Sequence, residues 1–74
     1  MSEEFRELIS ELREIKVKER ASDELLARKI GVSIFTISRW WRFQGTPNPG
    51  SIKLIRQFIN DYNREGNSVL RESI

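Results

Sequence analysis

In the stretch GVSIFTISRWWR, Gly31 to Arg42, four residues recur at helical spacing: Phe35, Ser38, Arg39 and Arg42. At about 100° per residue they fall on one side of a helix, with Ile37 and Trp40 on the other. Ile34 and Trp41 lie on one boundary between the two sides, and Phe43 on the other. A hydroxyl, two guanidinium groups and an aromatic ring on one face suit contact with a nucleic acid. Arginine forks match guanine edges or phosphates, and an apolar ring can touch a thymine methyl. The alternative for Phe35 is packing on the first helix or on the tail.

The rest of the composition narrows the chemistry. The 74-residue chain contains neither His nor Cys. That removes the usual general base, the thiol nucleophile and the usual structural zinc ligands. There is no Gly-rich phosphate loop. A carboxylate-only site is still open, but a chain this short has little room for a pocket of about 300 Å3. The expectation is a protein that is not an enzyme, with no metal, no cofactor and no small-molecule substrate. No apolar run approaches the roughly 18 residues that span a bilayer, and no signal-peptide pattern is present. A cytoplasmic protein without a membrane partner is expected.

Charge is unevenly placed. Formal net charge is only +2. Glu3, Glu4, Glu7, Glu11 and Glu14 crowd the first 14 residues, against Arg6 and Arg13. From Leu25 to Asn60 there is no acid, while Arg28, Lys29, Arg39, Arg42, Lys53 and Arg56 contribute six positive charges. A basic middle between acidic ends points to one face made for an anion.

Helices must carry these residues. Phe5, Leu8, Ile9, Leu12 and Ile15 have amphipathic helical spacing, which predicts a helix from about Glu3 to Val17, with Ser2 as its cap. KERAS then breaks the pattern. Ser22 caps a second, short helix with Asp23 and Glu24 in its first turn and Leu26 and Ile30 on one face. Gly31 ends it in a left-handed conformation, Val32 plugs the core from the turn, and Ser33 caps the third helix, from about Ile34 to Phe43. QGTPNPG is the strongest turn signal in the chain. A fourth helix is predicted from about Gly50 to Asn63, with Ile52, Ile55, Phe58, Ile59 and Tyr62 at helical spacing, ended by Gly66. The tail NSVLRESI is too short to assign. With no strand pattern, the fold expected is all-α: a compact bundle of four or five short helices containing a helix-turn-helix. Residues 1–66 form one domain and residues 67–74 a short C-terminal tail.

Across LLARKIGVSIFTISRW the spacing resembles the helix-turn-helix of the lambda-repressor-like family of DNA-binding proteins. Ala27 stands four residues before Gly31, where a small residue lets two helices approach. Leu26, Ile30, Val32, Ile37 and Trp40 occupy the motif's apolar positions, and NPGSIKLIRQF resembles the family's Asn-Pro-Ser segment opening the next helix. The resemblance covers roughly Val17 to Tyr62. It implies that the third helix enters the major groove of double-stranded DNA, with Ser33, Ile34, Phe35 and Ser38 reading bases and Arg39 and Arg42 reaching bases or backbone. It implies phosphate contacts from Thr46, Asn48, Ser51 and Lys53. Where the family often has Gln, this chain has Asp23, an acid that needs a cationic partner if phosphate is to approach. RFQGTPNPG is also about two residues longer than the family's usual loop.

The function expected is sequence-specific double-stranded DNA binding by a small transcriptional regulator, alone or as a homodimer on a palindromic site. The alternative is a helix-turn-helix domain used as a protein-interaction module of antitoxin or adaptor type, based on the apolar pair Ile34 and Phe35 with Trp41 beside them. An excisionase-like DNA-bending factor is disfavoured. That fold needs a strand-built wing after the recognition helix, where this chain has Pro, Gly and another helix.

Overall fold

One fully buried residue from each of four helices meets at the centre of the molecule: Leu12, Leu26, Ile37 and Ile55, each 0% exposed. The computed structural model describes residues 3–44 and 48–71. Its helices are α1 (Glu3–Glu19), α2 (Asp23–Ile30), α3 (Ile34–Trp41) and α4 (Pro49–Glu65), followed by a 3-10 helix, Gly66–Leu70. No strand occurs among the described residues, so the all-α bundle holds. Within them, no helix is long and apolar enough to cross a membrane.

The amphipathic spacing of α1 delivers Phe5, Ile9, Leu12 and Ile15 to the core. α4 answers with Ile55, Phe58 and Ile59, and the two long helices pack along one another. The two short helices, α2 and α3, pack together, and α2 also touches α4. Burying these side chains at about 25 cal/mol per Å2 is the main force on the fold.

Three helix starts follow side-chain caps. Ser22 Oγ accepts from the Leu25 amide (3.0 Å), Ser33 Oγ from the Thr36 amide (3.2 Å), and Asn48 Oδ1 from the Ser51 amide (2.7 Å). Each satisfies an amide that the first turn leaves without a partner. Pro49 follows Asn48 in the first turn of α4, where a missing N–H costs nothing. That is why α4 begins at Pro49 rather than Gly50. The expected cap at Ser2 lies outside the described residues.

The helix ends depart further from expectation. α1 continues past Val17 to Glu19, because Lys18 and Glu19 are good helix formers. It closes at Arg20, in the left-handed region at φ 55°, with the Arg20 amide on the Val17 carbonyl and the Ala21 amide on the Lys16 carbonyl. α3 stops at Trp41, short of Phe43. Phe43 (φ 54°) repeats the device: its amide bonds the Trp40 carbonyl and the Gln44 amide bonds the Arg39 carbonyl. This paired closure usually has Gly at the left-handed position, and a side chain there costs about 1–2 kcal/mol. Packing holds Phe43 in place: its ring meets that of Phe5 edge-on, centroids 6.4 Å apart, and Arg6 lies over it at 5.3 Å. At Gly31 (φ 95°) glycine fills the same role between α2 and α3, as expected, and Val32 packs part-buried against the core. α4 runs two residues beyond Asn63 before Gly66 closes it, the Gly66 amide bonding the Tyr62 carbonyl.

Residues 67–70 of the tail that composition left unassigned belong to the 3-10 helix, which packs on α4 and α2 and buries Leu70. Lys29 Nζ ties the segment down by donating to the Arg71 carbonyl at 2.7 Å.

Candidate nucleic-acid interface

α3 presents two unlike sides. Ile37 (0% exposed) and Trp40 (5%) are sealed in the core, whereas Phe35 is 79% exposed. The helical rotation predicted from spacing is therefore the observed one. Phe35, Arg39 and Arg42 lie at i, i+4 and i+7 and are all exposed, with Ser38 half-buried beside them and Ile34 44% exposed at the tip. Among the described residues Phe35, so exposed, packs on neither α1 nor the tail.

The six cations of the acid-free stretch separate into two groups. Arg28 pairs with Glu24 at 3.7 Å, Arg56 with Glu4 at 2.6 Å, and Lys29 is held by the Arg71 carbonyl. Among the described residues, Arg39, Arg42 and Lys53 have no ion pair and no side-chain hydrogen bond. Two of these three lie on the outer side of α3. Half of the positive charge read from sequence is taken up by partners within the molecule, and of what remains Arg39 and Arg42 share the outer side of α3 with Phe35.

The polar residues proposed for the interface carry local duties. Ser33 Oγ caps α3 and also shares a hydrogen bond with Thr36 Oγ1 (3.0 Å). Asn48 Oδ1 caps α4 through the Ser51 amide, which leaves the Asn48 amide group as its outward donor. Ser51 is half-buried and Lys53 exposed on the first turns of α4. Thr46 lies outside the described residues.

Asp23 has the cationic partner that an acid at this position needs. Lys16 Nζ stands 3.7 Å from Asp23 Oδ1, and the same oxygen accepts the Trp41 indole N–H at 3.0 Å. Arg13 completes the group from α1. Its guanidinium lies 5.2 Å from the centre of the Trp41 ring and donates to the Trp41 carbonyl at 3.3 Å. Sequence placed Trp41 on a boundary but did not show this junction of α1, α2 and α3, whose partners come from three separate segments. The signal that could have found it was Asp23 itself.

Among the described residues no group of three or more acids, Cys or His is placed to hold a metal ion. Compared with models of known protein families, with curated proteins and with solved structures, the chain matches none.

Proposed function

We propose that this protein binds double-stranded DNA sequence-specifically, as a small transcriptional regulator, with α3 lying in the major groove. One observation carries the reading: the outer side of α3 joins a largely exposed aromatic ring to two arginines without partners among the described residues, while its inner side is fully packed. Arg39 and Arg42 supply forked donors for guanine or phosphate, and Phe35 with Ile34 supplies apolar contact for thymine methyls. Lys53 and the start of α4 add sequence-independent phosphate contacts. The Lys16–Asp23 pair lowers the repulsion an acid would otherwise exert on the backbone.

The test is selection from random-sequence duplex DNA, followed by affinity against salt. Three cations on phosphate give a slope of log K against log salt of about −3 for one protomer. Drawing Arg28, Lys29 and Arg56 from their internal partners takes it toward about −5. The exposed pair Ile34 and Phe35 favours a second reading, a protein-interaction module. That reading predicts a slope near zero and no enriched sequence.

A further inference from the structure

We propose that Asp23 is a positioning residue for α3: by accepting the Trp41 indole N–H it sets the rotation of that helix, and so decides where Phe35, Arg39 and Arg42 point. This rests on the functional reading above.

The argument begins with how little holds so short a helix. α3 has eight residues and buries two of them, Ile37 and Trp40, three positions apart. These two pegs, about 4.5 Å apart along the axis and about 60° apart around it, fix which side of α3 is buried but resist small rolls less than they resist translation. Roll is resisted at the flanks, where Phe43 grips one side against Phe5 and Arg6 and Trp41 the other. The Phe43 contacts are rings and a cation, which tolerate sliding. The Trp41 contacts are directional: its rigid indole donates to Asp23 Oδ1 at 3.0 Å, and its carbonyl accepts from Arg13 at 3.3 Å. A hydrogen bond weakens steeply as its angle closes, and the indole bond, shorter and made by a rigid ring rather than a long flexible side chain, is the flank contact most sensitive to roll.

Asp23 is itself fixed. It follows the Ser22 cap at the start of α2, and Lys16 approaches the same oxygen from α1. The rotation of α3 is thereby referred to both neighbouring helices. A helix with its side chains has a radius of about 5–6 Å, so a roll of about 10° moves a side-chain tip by about 1 Å. Productive contacts need placement within about 0.5 Å, so loss of the indole bond erodes base reading. Diffuse attraction to phosphate, which does not depend on such placement, survives.

The experiment uses the full chain and three variants: Asp23→Ala, Asp23→Asn, which keeps an oxygen acceptor but loses the charge beside Lys16, and Trp41→Phe, which keeps a ring under Arg13 but loses the donor. The first arm contains no nucleic acid. In amide NMR spectra, Asp23→Ala and Trp41→Phe should shift the resonances of residues 34–41 while those of residues 53–65 stay in place, and Asp23→Asn should leave both sets near the parent. Unmoved α3 resonances in Asp23→Ala overturn the proposal, as does rapid solvent exchange of the Trp41 indole N–H in the parent. The second arm measures affinity for the selected duplex over a random one. Asp23→Ala and Trp41→Phe should lower that ratio about tenfold with the salt slope unchanged, and Asp23→Asn should keep it within about twofold of the parent. A ratio unchanged in Asp23→Ala, or lost equally in Asp23→Asn, overturns the positioning role. A parent that does not discriminate among duplexes overturns the functional reading instead, and the first arm then decides whether Asp23 sets the roll.

Discussion

The α1–α4 side and the outer side of α3 treat charge in opposite ways. Along α1 and α4, Arg56 meets Glu4 across the two helices, Arg64 meets Asp61, and the Tyr62 hydroxyl donates to Glu19. On α3 no acid is available: its first turn contains none, and Arg39 and Arg42 project without partners among the described residues. Exposed ion pairs are worth about 0–1 kcal/mol each, so the pairs on the first side add little stability. Their consequence is that Arg56 and Arg64 are matched by acids, whereas Arg39 and Arg42 on the other side are unmatched among the described residues. Stability belongs to the packed interior beneath both sides, and the proposed binding belongs to the unmatched charge and apolar surface of one.

Trp40 is where that separation breaks, because it anchors α3 to the core at 5% exposure. Trp40→Ala should cost roughly 3–5 kcal/mol, a large part of the about 5–15 kcal/mol that holds a domain together. A urea melt reads this directly, and binding should fall with folding. A variant that melts like the parent would show that the inner side of α3 carries no such share.

Arg39 and Arg42 sharpen the comparison from the other direction. Among the described residues neither has an internal partner to lose, so Arg39→Ala and Arg42→Ala should leave the melting midpoint within about 0.5 kcal/mol of the parent. If one reads a guanine through both forks, its loss should cost about 1–3 kcal/mol of binding and relax preference at one base. If it holds phosphate, affinity should drop evenly across sequences and the salt slope should shrink by about 1. Fluorescence anisotropy on selected and random duplexes separates the two, and unchanged affinity in both variants removes α3 as the interface.

The same contrast explains what was legible in the sequence. Ser22, Ser33 and Gly31 each act within a few residues of their own position, so one residue type at one place was enough to find the caps and the turn. The rotation of α3 was legible because Ile37 and Trp40 are its only strongly buried residues and the period is fixed. The closures at Arg20 and Phe43 were not, since a left-handed Arg or Phe is set by what the fold buries nearby: the next residue, Ala21, in one case and the Phe43 ring against Phe5 in the other. The division of the six cations was hidden for a related reason. Glu4 reaches Arg56 across 52 positions of sequence, and local charge counting has no access to that pairing.

Phe35 tests whether the apolar part of the exposed side belongs with binding or with folding. At 79% exposure it has little burial to lose, so Phe35→Ala should leave the melt unchanged. Loss of a thymine contact should cost about 1 kcal/mol of affinity, less than full burial of such a side chain. The preference for T over C at one position should shrink, with the salt slope intact because no phosphate contact is removed. A destabilised variant with intact base preference would move Phe35 from the interface to the fold.

The smallest effect lies on the opposite side, at Tyr62, and asks whether that side is independent of binding. The hydrogen bond from its hydroxyl to Glu19, helped by desolvation and by the carboxylate charge, raises the phenol above its ordinary pKa of 10.0. The folded chain therefore keeps this proton to higher pH than the unfolded chain does. Below pH 10 the hydroxyl is protonated in both states and the bond contributes in full. Above it the unfolded phenol ionises first, so the contribution declines as pH climbs toward the raised folded value. Tyr62→Phe removes the donor and keeps the ring. The variant should be slightly less stable than the parent near neutral pH, and the gap should narrow in urea melts carried above about pH 10. DNA affinity at neutral pH should not move. A gap that stays constant through the titration would mean that the hydroxyl contributes by packing rather than by its proton. A change in affinity would mean that the α1–α4 side is coupled to α3 after all.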